Sequence, residues 1–152
     1  MATTTLDNLL PQFGRAIGAF IGSFTTTTAI AANTSVISTE LTDSGFNNDD
    51  ALNDTFIKIT SANNDDTVRR VTDYTASSGT ITVSGTALTS DSSTQATFEI
   101  YRYDPDQLRD SLNDARFNVF PRLYKEVNDR TLCLADTQNK YARPSSIAPG
   151  YV

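Results

Sequence analysis

Between Phe56 and Tyr103 the apolar residues come in short alternating runs, each stopped by a cluster of Asn, Asp, Ser or Gly. That punctuation leaves room for strands and tight turns but not for long helices. Phe56-Ile57-Lys58-Ile59 reads as a short strand with Phe56 set against the polar Lys58, and Asn63-Asn64-Asp65-Asp66 then turns the chain. Val68 to Tyr74 and Thr80 to Val83 flank Ala76-Ser77-Ser78-Gly79, a loop with the length and chemistry of a β-hairpin connection. After a Ser/Thr-rich loop around Ser90 to Thr94, Phe98-Glu99-Ile100-Tyr101-Arg102-Tyr103 supplies another alternating strand. Upstream, Ile30 stands alone and Ile37, Thr39 and Leu41 keep a period of two until Asp43-Ser44-Gly45 and Asn47-Asn48-Asp49-Asp50 announce loops. Residues 29–103 are therefore expected to form a β domain.

The flanks follow other periods. Leu6, Leu9, Leu10, Phe13, Ile17, Phe20, Ile21 and Phe24 recur at helical spacing, which predicts an amphipathic helix within residues 1–28. Thr5 or Asp7 can cap it, and Pro11 is tolerable in a first turn. Gly14, Gly18 and Gly22 share one stripe of that helix, where each costs roughly 1 kcal/mol against Ala. Either the stripe admits another backbone at close range, or the helix breaks up at the glycines. At the other end, Asp104-Pro105-Asp106-Gln107 combines an N-cap, a proline at the first helical position and a capping-box glutamine. Leu108, Leu112, Ala115 and Val119 give that helix its apolar face, and Pro121 ends or kinks it before another turn from Leu123 to Val127, so that residues 104–128 are helical. Residues 129–152, with Arg143-Pro144-Ser145-Ser146 and Ala148-Pro149-Gly150, read as an extended arm. The expected fold class is mainly β: a small β-sandwich or barrel with an N-terminal amphipathic helix, a C-terminal helix and an extended C-terminal arm.

With 152 residues, the chain has the size of one domain with arms. Its apolar fraction of 38% is low because Thr, Ser, Asn and Asp fill the deficit, which favours a loop-rich β protein. A net charge of −6 repels phosphate and argues against direct nucleic-acid binding. The apolar stretch from Ala16 to Phe24 is far short of the roughly 20 residues a membrane span needs, and no basic segment or cleavage site makes it a signal peptide. A soluble chain without membrane contact is expected. Cys133 is the single cysteine, which fits a reducing cytoplasm.

No histidine is present, which removes Ser-His and Cys-His nucleophile systems and the usual zinc ligands. Cys133 lies between Leu132 and Leu134, as a small buried hydrophobe would. A carboxylate pair is the remaining catalytic device, but the acids sit in turns and caps that already explain them. The loops Asn47–Asp50 and Asn63–Asp66 carry hard-cation ligand types without the order or the distant Glu of a calcium loop, so solvated turns are the plainer reading. We therefore expect no enzyme, no cofactor and no metal site. Arg69 and Arg70 point to opposite faces of a strand; one can pair with an acid such as Asp73, or grip an acidic neighbour. Tyr101 and Tyr103 share a strand face, as a core edge or subunit contact more than as a carbohydrate platform.

The run from Arg69 to Val83, RRVTDYTASSGTITV, followed by FEIYRYDPDQL from Phe98 and FPRLYKEV from Phe120, resembles tailed-bacteriophage virion proteins of the neck or head-tail adaptor type. The resemblance covers roughly Phe56 to Val127 and rests on the order strand, hairpin, strand, Asp-Pro cap and helix. It implies a head-to-tail connector subunit, assembled in the host bacterial cytoplasm and present in the virion as a ring of copies beside portal, tail or capsid proteins. No catalytic residues are implied. A capsid decoration protein and a tail-fibre or carbohydrate-binding module are the alternatives. The apolar N-terminal segment and the Pro-containing tail suit partners better than solvent. Expected contact residues are Gly14, Gly18, Gly22, Phe20 and Phe24, the pair Arg69 and Arg70, and Tyr141, Pro144 and Tyr151 of the arm.

Overall fold

The computed structural model describes residues 6–91 and 94–119. Six strands, β1 (Phe20–Thr25), β2 (Ser35–Ile37), β3 (Phe56–Ile59), β4 (Val68–Thr75), β5 (Thr80–Val83) and β6 (Thr97–Tyr101), form one sheet in the order β1-β6-β3-β4-β5-β2, with every pairing antiparallel. Helix α1 (Leu6–Ala16) precedes the sheet, a short α2 (Thr39–Asp43) follows β2, and α3 (Pro105–Val119) follows β6. The predicted β-rich class is the one observed. The described residues as far as Ala115 belong to one compact unit, and of the second, Arg116–Val152, only the last turn of α3 is described. The predicted turn at Leu123–Val127, Cys133 and the arm lie outside the described residues.

The sheet curls until its two edge strands meet at one end. Thr27 N–H donates to the Ile37 carbonyl (2.8 Å), Thr39 N–H to Thr27 Oγ1 (2.7 Å), and the buried Ser38 hydroxyl to the Thr25 carbonyl (2.7 Å). Glu40 in the first turn of α2 accepts from Thr25 N–H (2.7 Å). The seam satisfies backbone groups that an open edge would leave unpaired. Every strand feeds the enclosed core: Phe24, Val36, Ile57, Ile59, Val71, Tyr74, Ile81, Val83, Phe98 and Ile100 are all buried in one cluster. The hairpin between β4 and β5 is the predicted one, with Tyr74 opposite Ile81. Val71 and Tyr74 both face inward although three positions apart, because a bulge at Thr72 shifts the register.

The N-terminal helix is shorter than its periodicity predicts. It stops at Ala16, Gly18 adopts φ +70, and Phe20–Thr25 becomes the edge strand β1, so the β domain takes in residues assigned to the helix. A bulge at Ile21 puts Phe20 on the outer face and Phe24 in the core. That one-residue slip, superimposed on a period of two, is what imitates helical spacing. Thr39 and Leu41 belong to α2, not to a strand, and Leu41 still fills the core. The Asp-Pro cap forms as expected, with Asp104 Oδ1 accepting from Asp106 N–H (3.0 Å) and the Asp104 carbonyl accepting from Leu108 N–H (3.1 Å).

Gly79 closes the β4–β5 turn at φ +61, and a Cβ there would collide with the Ser38 carbonyl beside the seam. Gly79→Ala should therefore cost about 2 kcal/mol, a loss in Tm of about 5–10 °C in a thermal melt. Gly45→Ala serves as comparison: φ is +97 there too, but the space around it is open, so the cost should stay near 1 kcal/mol.

Candidate functional site

A second, smaller core lies on the outer face of the sheet. Leu10 of α1, Ala19, Tyr101 of β6 and Leu108 of α3 are buried together, with Phe13, Phe20 and Leu112 packed against them. The Phe20 ring meets the Tyr101 ring edge to face at 5.3 Å, and the Arg15 guanidinium lies 4.6 Å from the Phe20 centroid. Beside this patch runs a polar network. Lys58 points outward from β3 between the inward-facing Ile57 and Ile59, yet it is only 3% exposed. Its cross-strand partner is Glu99 of β6, and Glu99 Oε2 accepts from the Tyr101 hydroxyl (2.7 Å). Lys58 Nζ lies 3.1 Å from Asp66 Oδ1, and the same oxygen accepts from Arg109 Nη2 of α3 at 2.7 Å. Asn8, Thr60 and Asp65 complete the cleft around Lys58, Asp66 and Glu99.

Backbone geometry puts Asp66 in reach of both cations. The turn after β3 passes through a single 3-10 turn at Ala62–Asn64 and returns Asp66 N–H to the Ile59 carbonyl (2.9 Å), with Asp66 at φ +60. Asp tolerates this left-handed conformation better than most residues. The Arg109 hydrogen bond is the largest effect and lowers the Asp66 pKa; burial opposes it, and the hydrogen bond and charge of Lys58 together with the charge of Arg109 keep the carboxyl below its ordinary value.

The other Asn/Asp turns work as fasteners. Asp91 Oδ1 accepts from Asn63 N–H (2.8 Å), while the buried Asn64 amide donates to the Thr89 carbonyl (2.7 Å) and accepts from Thr89 N–H (2.9 Å). Asp49 Oδ1 accepts from Ala76 N–H (2.7 Å), and the buried Tyr74 hydroxyl donates to the Phe46 carbonyl (2.8 Å). Burial raises the Tyr74 pKa.

The expected contact residues are not brought together. Gly14 and Gly22 do allow close approach, but within the chain: a Cβ on Gly14 would meet Phe20 and Tyr101, and one on Gly22 would lie 2.7 Å from the Phe24 ring. Gly18 lies between helix and strand in open space, so the three glycines form no common stripe. Phe24 is in the core, and Phe20 is half-buried against Tyr101. Arg70 pairs with Asp54 (2.6 Å), not with Asp73, on the exposed surface. Arg69 donates from Nη1 to the adjacent Val68 carbonyl (2.9 Å), and its Nε is buried without a hydrogen-bond partner. Tyr101 is fully buried whereas Tyr103 is 57% exposed, so the two do not form one platform. Tyr141, Pro144 and Tyr151 lie outside the described residues. The sequence marked Lys58 only as the polar position of a strand and Asp66 only as part of a turn weighed as a cation loop, and it singled out neither Glu99 nor Arg109 for a site; the available signal was a lysine between two isoleucines in a strand.

No described helix is long and apolar enough to cross a membrane. The chain matches no protein-family model, no curated protein and no solved structure.

The Asp66 pairing fixes the sign of a pH dependence. Because its folded-state pKa is depressed, its contribution is complete above the ordinary value of 3.8 and is lost as pH falls through the lower folded-state value. Urea denaturation of the wild type and Asp66→Asn should separate clearly at pH 6, and the two curves should draw together only below about pH 4.

Proposed function

We propose that this chain is a structural subunit of a tailed-bacteriophage particle, a head-to-tail connector that acts in a ring through contacts with copies of itself and with portal, tail or capsid neighbours. The observation that carries this reading is the order of elements. Hairpin β4–β5, strand β6, the Asp104 cap and α3 follow one another as the resemblance to neck and adaptor proteins implies. Within that stretch β6 sits between β1 and β3 inside the sheet, and three residues, Arg102 to Asp104, lead from it to α3. Phe117, in the last turn of α3, is 74% exposed. That ring belongs to neither apolar cluster of the fold and is available for contact with a neighbour.

The capsid-decoration alternative is separated from this reading by stoichiometry. Quantitative copy counting in purified particles should give one ring per particle; copies scaling with capsid area would reject the connector. Phe117→Ser should leave the melting temperature within a few degrees, since surface substitutions stay within about 0.5 kcal/mol, while reducing incorporation into particles. Full incorporation of that variant would remove Phe117 from the contact.

A further inference from the structure

We propose that α3 is a latched helix, able to leave the barrel as a unit while the barrel stays folded, and that the Asp66 carboxylate shared between Lys58 and Arg109 is the latch. The inference is independent of which particle or partner the chain serves.

Three observations converge on it. First, the two cores are separate: α3 contributes no residue to the core that the six strands enclose, and it reaches the outer core only through Leu108, which is buried, and Leu112, which is partly so. Losing α3 therefore leaves the barrel interior filled. Second, the connection to β6 is the irregular Arg102-Tyr103-Asp104, held at its start by Arg102 N–H donating to the Ala19 carbonyl (2.7 Å). A helix can pivot on a link of that kind without disturbing the pairing of Tyr101 with Phe20 and Phe56. Third, Asp66 occupies a left-handed backbone position whose geometry carries its carboxylate to both cations at once. Lys58 belongs to the sheet and Arg109 to the helix, so a single oxygen ties one to the other.

Release would uncover Leu10, Tyr101 and Ala19 on the outer face, a patch that is apolar but already ringed by charge. Closure returns Arg109 to the Asp66 oxygen and Leu108 to the outer core. Asp106, 3.7 Å from Arg109 within α3, travels with the guanidinium when the helix opens.

Hydrogen exchange of the full chain, read peptide by peptide, tests this. In the wild type, amides of α3 from Gln107 to Ala115 should exchange faster than those of β3 and β6, because they open without the barrel. Asp66→Asn keeps a residue suited to φ +60 but removes the charge, and should accelerate α3 exchange about fivefold, the factor expected for a partly exposed ion pair, with β4 and β5 unchanged. Arg109→Ala should do the same, and the double variant should fall short of the sum of the two single effects because both remove the Asp66–Arg109 pair, Asp66→Asn taking the Lys58 pair as well and Arg109→Ala the contact with Asp106. Exchange of α3 and β6 at one common rate, equal acceleration of helix and barrel in the variants, or additive effects of the two substitutions would each overturn the proposal. Should Asp66→Asn fold poorly, Arg109→Ala alone carries the comparison.

Discussion

The seam between β1 and β2 is the constraint on which the rest of the structure depends. A single six-stranded antiparallel sheet has two faces and two edges, and with strands alone it encloses a core by curling onto itself. Thr25 to Thr27 on one side and Ile37 to Thr39 on the other supply the donors and acceptors that make that possible. The side chains at the seam take the place of a regular ladder: two threonine hydroxyls face each other at 3.1 Å, and Ser38 reaches across to backbone. The Thr-rich stretch from Thr25 to Thr28 is thereby explained as more than composition, because a short β-branched hydroxyl residue can sit in a strand and still bond to a neighbouring backbone. Gly79, pressed against the Ser38 carbonyl, shows how closely the hairpin must approach that corner.

The part of the fold that was legible in the sequence is the part where period and punctuation agree. The β4–β5 hairpin, β3, β6 and the capped start of α3 each combine an alternating or helical pattern with turn residues at the right places. Where they disagree, the reading fails for a definable reason. In Phe20-Ile21-Gly22-Ser23-Phe24 a bulge inserts one residue into an edge strand, and the outward Phe20 and inward Phe24 then stand four apart, as on a helix. A short apolar run with glycines cannot distinguish the two without knowing its pairing partner. Gly22 is a packing residue there, making room for the Phe24 ring, and nothing in the local sequence says so.

The candidate site was illegible for a different reason. Alternation assigns Lys58 to the outer face of β3, and an outer face is ordinarily wet. Its surroundings come from other elements: Asn8 of α1, Glu99 of β6 and Asp66 from the turn after β3. Arg69 and Arg70, by contrast, were conspicuous as a dipeptide but end in separate local contacts, one with Val68 and one with Asp54. Conspicuous charge on a strand is most often just that, whereas an isolated charge between two core residues has to be accommodated by something.

A buried lysine adds little to stability on balance, since the cost of removing its charge from water offsets most of the attraction to its partner. What it does is restrict geometry. An apolar residue at position 58 would tolerate α3 in many rotations, with Leu108 and Leu112 sliding over Tyr101; a cation that must meet Asp66, which must also meet Arg109, allows few. The barrel thus carries stability in its enclosed core and orientation in the network outside it. That division gives α3 a defined seat when it is docked, and it accounts for a polar network on a face that two helices could have covered with leucines alone.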